Sequence, residues 1–244
     1  MSQPLSTLRV AITGAAGGIG RALAARLGAL GANLYLLGRT AASLQALQAE
    51  LQACPGKISA FACDLDRDDD VREIRSSLEE SLGGLDVLIH SAGVISLAPL
   101  ATVAPAEMDK HYRLNVRAPL LITQLLLPLL KASQGQIVFI NSSVGVRSKE
   151  LTGAYAASKH ALKAVADTLR MELNASGIRV LSVYPGNTAT PMQRQICTTL
   201  GKSYAPEALL QPDDVALAVV NALSLPRTAE ITDIHIRPAQ KPVS

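Results

Sequence analysis

Seven short apolar runs recur along the chain, most followed by a longer stretch in which apolar residues return every three or four positions. The runs are LRVAIT (8–13), NLYLLG (33–38), KISAFA (57–62), LDVLIH (85–90), QIVFIN (136–141), IRVLSVY (178–184) and ITDIHI (231–236). Most are apolar throughout instead of alternating. That is the pattern of strands buried on both faces of a parallel sheet. Between them lie helical patterns such as GRALAARLGALG, AASLQALQAELQA and DDVREIRSSLEESLG. Alternation of this kind predicts βαβ units and an α/β fold: a doubly wound sandwich, with a mostly parallel seven-stranded sheet, helices on both faces and right-handed crossovers. No linker-like tract, repeat or low-complexity segment interrupts the pattern, so residues 1–244 read as a single domain. Ligands of such sheets bind beyond the carboxyl ends of the strands, and unusual residues should gather there.

Composition excludes function classes without naming one. The 244 residues are 48% hydrophobic and 18% charged, with a net charge of +3. No run of Lys and Arg offers a nucleic-acid footprint, so no nucleic-acid partner is expected. No unbroken run of ~18 apolar residues marks a membrane span. The N-terminal stretch lacks a basic start and is broken by glycines, unlike a secretory leader. Cys54, Cys63 and Cys197 are odd in number and lack metal-ligand spacing. They predict free thiols and a cytoplasmic setting. His90, His111, His160 and His235 are scattered and expected to be structural or surface residues; no metal site is predicted.

The first strand ends in TGAAGGIG, Thr13 to Gly20, and runs straight into a helix. Gly14, Gly18 and Gly20 have the spacing of a tight turn that lets a phosphate approach the backbone. The helix N-terminus behind them offers free N–H groups and the positive end of the dipole. This points to a Rossmann-type dinucleotide site, although methyltransferases also carry a glycine loop here. The second strand ends in Gly38-Arg39, where NAD-preferring enzymes place an acid. A guanidinium there can pair with a 2′-phosphate, so Arg39 favours NADP (NADPH) over NAD. Gly17 stands where NADP enzymes often carry a basic residue. Thr40 offers either a hydroxyl contact or a helix cap. After the third strand, Asp64 can accept from the adenine amino group, or cap the next helix, and Leu65 offers a backbone N–H. In HSAGV (90–94), Ala92 and Gly93 are small enough for a cofactor to lie against the backbone.

Three further motifs follow: LNVRAP (114–119), NSSVG (141–145), and Tyr155 four residues before Lys159 in YAASKHAL. Together with Thr-Gly-x-x-x-Gly-Ile-Gly, which includes Ile19, they resemble the compact single-domain branch of the short-chain dehydrogenase/reductase family, from about Val10 to Arg237. Tyr155 and Lys159 share a helix face. A nearby ammonium should lower the tyrosine pKa from about 10, making Tyr155 a general acid in ketone reduction and a general base in alcohol oxidation. Ser142, thirteen residues before Tyr155, is the candidate donor to the substrate oxygen, with Ser143 as the alternative. The resemblance implies that Asn115 supports a proton relay to Lys159. Pro119 lacks the N–H that would bond the Asn115 carbonyl, so a helix continuing here should kink. The resemblance also implies that Pro185 and Gly186 line the nicotinamide face, with Thr188 at the carboxamide and Thr190 at the phosphates. Where the family often has Asn-Asn-Ala-Gly, this chain has His90-Ser91-Ala92-Gly93, which predicts altered contacts near the adenosine ribose.

The resemblance implies that residues 191–211 cover the substrate, a small carbonyl or alcohol. Arg194 is read as a solvated lid residue in preference to an anion contact. The apolar surplus of the helices carrying Asn115 and Tyr155 suggests a subunit interface, and the resemblance implies a homodimer or homotetramer through these helices. The expected activity is NADP-dependent carbonyl–alcohol interconversion; an NAD-preferring dehydrogenase and a non-catalytic dinucleotide sensor are the alternatives.

Overall fold

A computed structural model describes residues 5–240. Residues 1–4 and 241–244, the ends of the expected domain and the start of the stretch read as lacking a leader, lie outside the described residues. All seven expected strands form: β1 (Arg9–Thr13), β2 (Asn33–Gly38), β3 (Ile58–Ala62), β4 (Val87–His90), β5 (Gln136–Ile140), β6 (Arg179–Pro185) and β7 (Asp233–Ile236). They make one sheet in the order β3-β2-β1-β4-β5-β6-β7, and every neighbouring pair is parallel. The order reverses between β1 and β4, which opens a crevice above their carboxyl ends.

Among the described residues, eight α-helices connect the strands: α1 (Gly18–Ala29), α2 (Ala41–Glu50), α3 (Asp68–Leu82), α4 (Pro105–Tyr112), α5 (Ala118–Ser133), α6 (Gly153–Leu173), α7 (Pro191–Thr199) and α8 (Pro212–Leu223). Side chains alternate faces along each strand, so the continuous apolar runs feed two cores. Val10 and Ile12 pack with Leu23, Leu27 and Val219 of α1 and α8. Ala11 and Leu88 pack on the other face with Ile74, Leu126 and Leu162 of α3, α5 and α6.

Two features of this region bear on the expectations. Arg113–Arg117 between α4 and α5 is a π-helical turn, in which Ala118 N–H bonds the Arg113 carbonyl five residues back. The helix thus continues past Pro119 through a widened turn beside the residue that lacks an N–H. The resulting continuous helix, Pro105–Ser133, is also long and apolar enough, by length and composition, to cross a bilayer. The test of an unbroken apolar run missed it because polar residues interrupt the run. One side of this helix packs in the core through Ile122, Leu126 and Leu130.

Candidate active site

The carboxyl ends of β1, β4, β5 and β6 enclose a cleft of about 710 Å³. At its floor the chain turns at Gly14, which has φ +66°. A Cβ there would stand 2.7 Å from the Ala92 Cα, so only glycine fits both the conformation and the space. At Gly20 a Cβ would stand 2.3 Å from the Gly14 carbonyl oxygen. Thr13 joins the two strand ends: its Oγ1 accepts from the backbone N–H groups of Ser91 and Ala92, both at 3.2 Å. The bare backbone at the N-terminus of α1 therefore opens directly onto the cleft, and its shape fits a dinucleotide pyrophosphate.

The residues that the sequence assigns to the cofactor line this cleft, from Gly14, Gly18, Ile19 and Gly20 to Thr188 and Thr190, except Thr40 and His90. Arg39 lies exposed at the edge with no ion-pair partner among the described residues. Asp64 does not cap α3. Its Oδ1 accepts from Asp66 N–H, and the cap position falls to Arg67. Thr40 occupies the N-cap position of α2 without capping through its side chain; its hydroxyl meets that of Ser43 at 2.6 Å. The Thr190 hydroxyl caps α7, accepting from Gln193 N–H at 3.2 Å.

His90 is a structural residue, as expected, but it is not placed to alter contacts near the ribose. It points away from the cleft, with its ring stacked on Phe139 at 4.9 Å and Nε2 at 2.9 Å from the Thr123 hydroxyl. Burial pushes its pKa down to about 3. The side chain at this position therefore faces the core and contributes nothing to the ribose site, because His90 is the last residue of a strand and the register sends it to the α5 face.

Tyr155, Ser142 and Lys159 meet at the deep end of the cleft. Ser142 follows β5, where its Oγ accepts from Val144 N–H at 3.3 Å. Lys159 is buried and donates from Nζ to the Ile140 carbonyl at 3.1 Å. Its Nζ lies 5.8 Å from the Tyr155 ring centre. Burial pushes the Tyr155 phenol up to about 12, against a smaller downward pull from the Ser142 hydroxyl. The same burial pushes Lys159 down to about 8. The sequence predicted a lowered tyrosine; here desolvation of the phenolate outweighs the Ser142 hydrogen bond and raises it instead.

Asn115 stands behind the cleft wall, fully buried. Its Oδ1 accepts from Val94 N–H, and its Nδ2 donates to the Val94 carbonyl and the Ser158 hydroxyl. Asn141, not singled out from sequence, donates from Nδ2 to the Lys159 carbonyl at 3.1 Å and so ties β5 to α6. Over the mouth, Met192, Ile196 and Leu200 of the 191–211 segment face the cleft. Arg194 stacks on the Tyr204 ring at 4.9 Å, so its guanidinium is engaged within the segment.

Comparison with known proteins agrees with this geometry. The family model described as short chain dehydrogenase matches residues 9–201. The chain is 31% identical to the glycine betaine reductase of Emericella nidulans, over 98% of this chain but only 19% of that protein. A metagenomic short-chain oxidoreductase in complex with NADP superposes with a TM-score of 0.83 at 31% identity, over 98% of this chain and 100% of the other. The 3-ketoacyl-(acyl-carrier-protein) reductase of Brucella melitensis, complexed with NADH, gives 0.83 at 25% identity over 96% and 98%.

Proposed function

The chain belongs to the short-chain dehydrogenase/reductase family, and from that premise we propose that it is an NADP-dependent reductase of small ketones or aldehydes, running in reverse as an alcohol dehydrogenase. The observation that carries this reading is the convergence of Tyr155, Ser142 and Lys159 at the end of a cleft whose other end is a glycine phosphate cradle. When bound, NADPH supplies the hydride. Residues of this chain do the rest. Arg39, exposed and without an ion-pair partner among the described residues, would meet the 2′-phosphate. Gly14, Gly18 and Gly20 would admit the pyrophosphate. Thr188, whose hydroxyl donates to the Gly186 carbonyl, would face the nicotinamide amide.

At the reacting end, the Ser142 hydroxyl donates to the substrate oxygen as negative charge develops there. Tyr155, protonated because burial holds its pKa up to about 12, delivers its proton to the same oxygen. Lys159 stabilises the resulting phenolate and hands a proton back. Asn115 holds the wall beside them and supports that relay.

Two measurements test the reading. NADPH should bind at least tenfold more tightly than NADH in a fluorescence titration, a difference of about 1.4 kcal/mol, and Arg39→Ala should erase the preference. Equal affinity makes Arg39 a surface residue, and reversed affinity makes the enzyme NAD-preferring as well. Tyr155→Phe removes one hydroxyl and should leave NADPH affinity near normal while turnover falls by orders of magnitude. Retention of most activity would falsify the mechanism.

A further inference from the structure

His111 is fully buried at the end of α4, four residues before Asn115. Both ring nitrogens are engaged. Nδ1 lies 2.6 Å from the Glu107 carbonyl oxygen, which can only accept, so Nδ1 carries the proton. Nε2 then has a free lone pair and accepts the Ser96 N–H at 3.0 Å. The two contacts admit one form of the ring, the neutral Nδ1–H tautomer. The third contact is with Tyr155: the two rings meet edge to face, 6.2 Å between centroids at 61°.

Ser96 belongs to the cleft wall, which meets the cavity through Val94, Ile95 and Leu97. Alternate backbone N–H groups of this wall are tethered to separate supports. Val94 is held by Asn115 Oδ1 at 2.9 Å, Ser96 by His111, and Ala98 by the Leu151 carbonyl at 2.9 Å. Ile95, between the first two tethers, packs with Val144, Tyr155 and Ala156. The side chain of His111 thus joins the wall facing the substrate to the tyrosine ring.

We propose that His111 is a positioning residue that sets the Tyr155 ring and the Ile95–Leu97 wall as one unit, and that it does so as the Nδ1–H tautomer. Substrate fit and proton delivery are then fixed by one side chain. The inference rests on the reading of Tyr155 as proton donor.

Two variants divide the role. His111→Phe keeps an aromatic edge against Tyr155 and offers Ser96 no acceptor. His111→Gln places an amide oxygen within reach of the Ser96 N–H and has no ring. Each is assayed for NADPH-dependent reduction of cyclohexanone, acetophenone and 1-phenyl-1,2-propanedione. The Phe variant should raise substrate KM about fivefold or more with kcat little changed, and the Gln variant should lower kcat about tenfold or more with KM little changed. NADPH affinity should stay within about twofold in both. Both variants matching wild type, or losing kcat and KM in parallel, overturns the proposal. The ring 15N shifts of His111 in the unmutated protein give a reading that does not depend on the variants folding or on any of the three ketones being turned over: an Nδ1–H tautomer supports it, and an Nε2–H tautomer or an exchanging mixture overturns it. Tyr155→Phe keeps the two ideas apart. If that variant stays active, the reading of Tyr155 falls; if it is inactive while the His111 variants behave as wild type, only this inference falls.

Discussion

Tyr155 and Lys159 are one helical turn apart, yet burial moves them in opposite directions, the phenol up to about 12 and the ammonium down to about 8. The consequence is a sign that can be measured. Below pH about 8, Lys159 keeps its charge and Tyr155 its proton, and both favour reduction. As pH rises through about 8, Lys159 loses the charge that stabilises a developing phenolate, so kcat for ketone reduction should fall. A steady-state profile from acid to alkaline pH tests this, and a rate that climbs across pH 8 contradicts it. The side chains involved were readable from spacing alone. The direction of the tyrosine shift was not, because it depends on how much protein covers the ring. His90 and His111 teach the same lesson. Both were expected to be structural or surface residues. The strand register turns His90 into the core, while the helix phase places His111 against Tyr155. The four-residue step from His111 to Asn115 was the available signal, since that spacing puts both on one helix face.

At the scale of elements, the cleft end of the sheet is specialised for ligands and the opposite end for stability. Asp86, almost fully buried just before β4, accepts from the Arg9 backbone N–H, Nε and Nη2, all within 2.8–2.9 Å. This ties the start of β1 to the start of β4, the two strands that flank the crevice at their other ends. Removing the carboxylate leaves a partly buried guanidinium and a backbone N–H unpaired. Asp86→Ala should therefore cost about 2–4 kcal/mol of stability while leaving NADPH affinity unchanged. Urea unfolding read beside a cofactor titration tests both halves; a large affinity loss at unchanged stability would count against this division of labour. The helix Pro105–Ser133 shows how far a local rule reaches. Pro119 announced a disturbance in the sequence, and the structure shows it as the widened turn Arg113–Arg117 within a continuous helix.

Across the whole molecule, α5 keeps one face in the core and leaves Leu121, Leu125 and Leu129 only partly buried. That surplus of apolar surface is more than a solvated helix needs. Sedimentation at micromolar concentration is expected to find a dimer or tetramer, and double substitution of Leu121 and Leu125 by Ser should shift it toward monomer. A wild-type monomer would leave that face unexplained.

The seven strands, the glycine cradle and the pairing of Tyr155 with Lys159 are legible in the chain before it folds. Each is written in a local pattern: an apolar run, a glycine spacing, a step of four on a helix. Only folding settled how closely Ser142, already singled out by its spacing, comes to Tyr155, that burial moves the tyrosine upward, and that the His111 ring meets it. Those outcomes depend on which surfaces meet and on how much water is excluded between them. Residues distant in the chain fix both, and no local pattern encodes either.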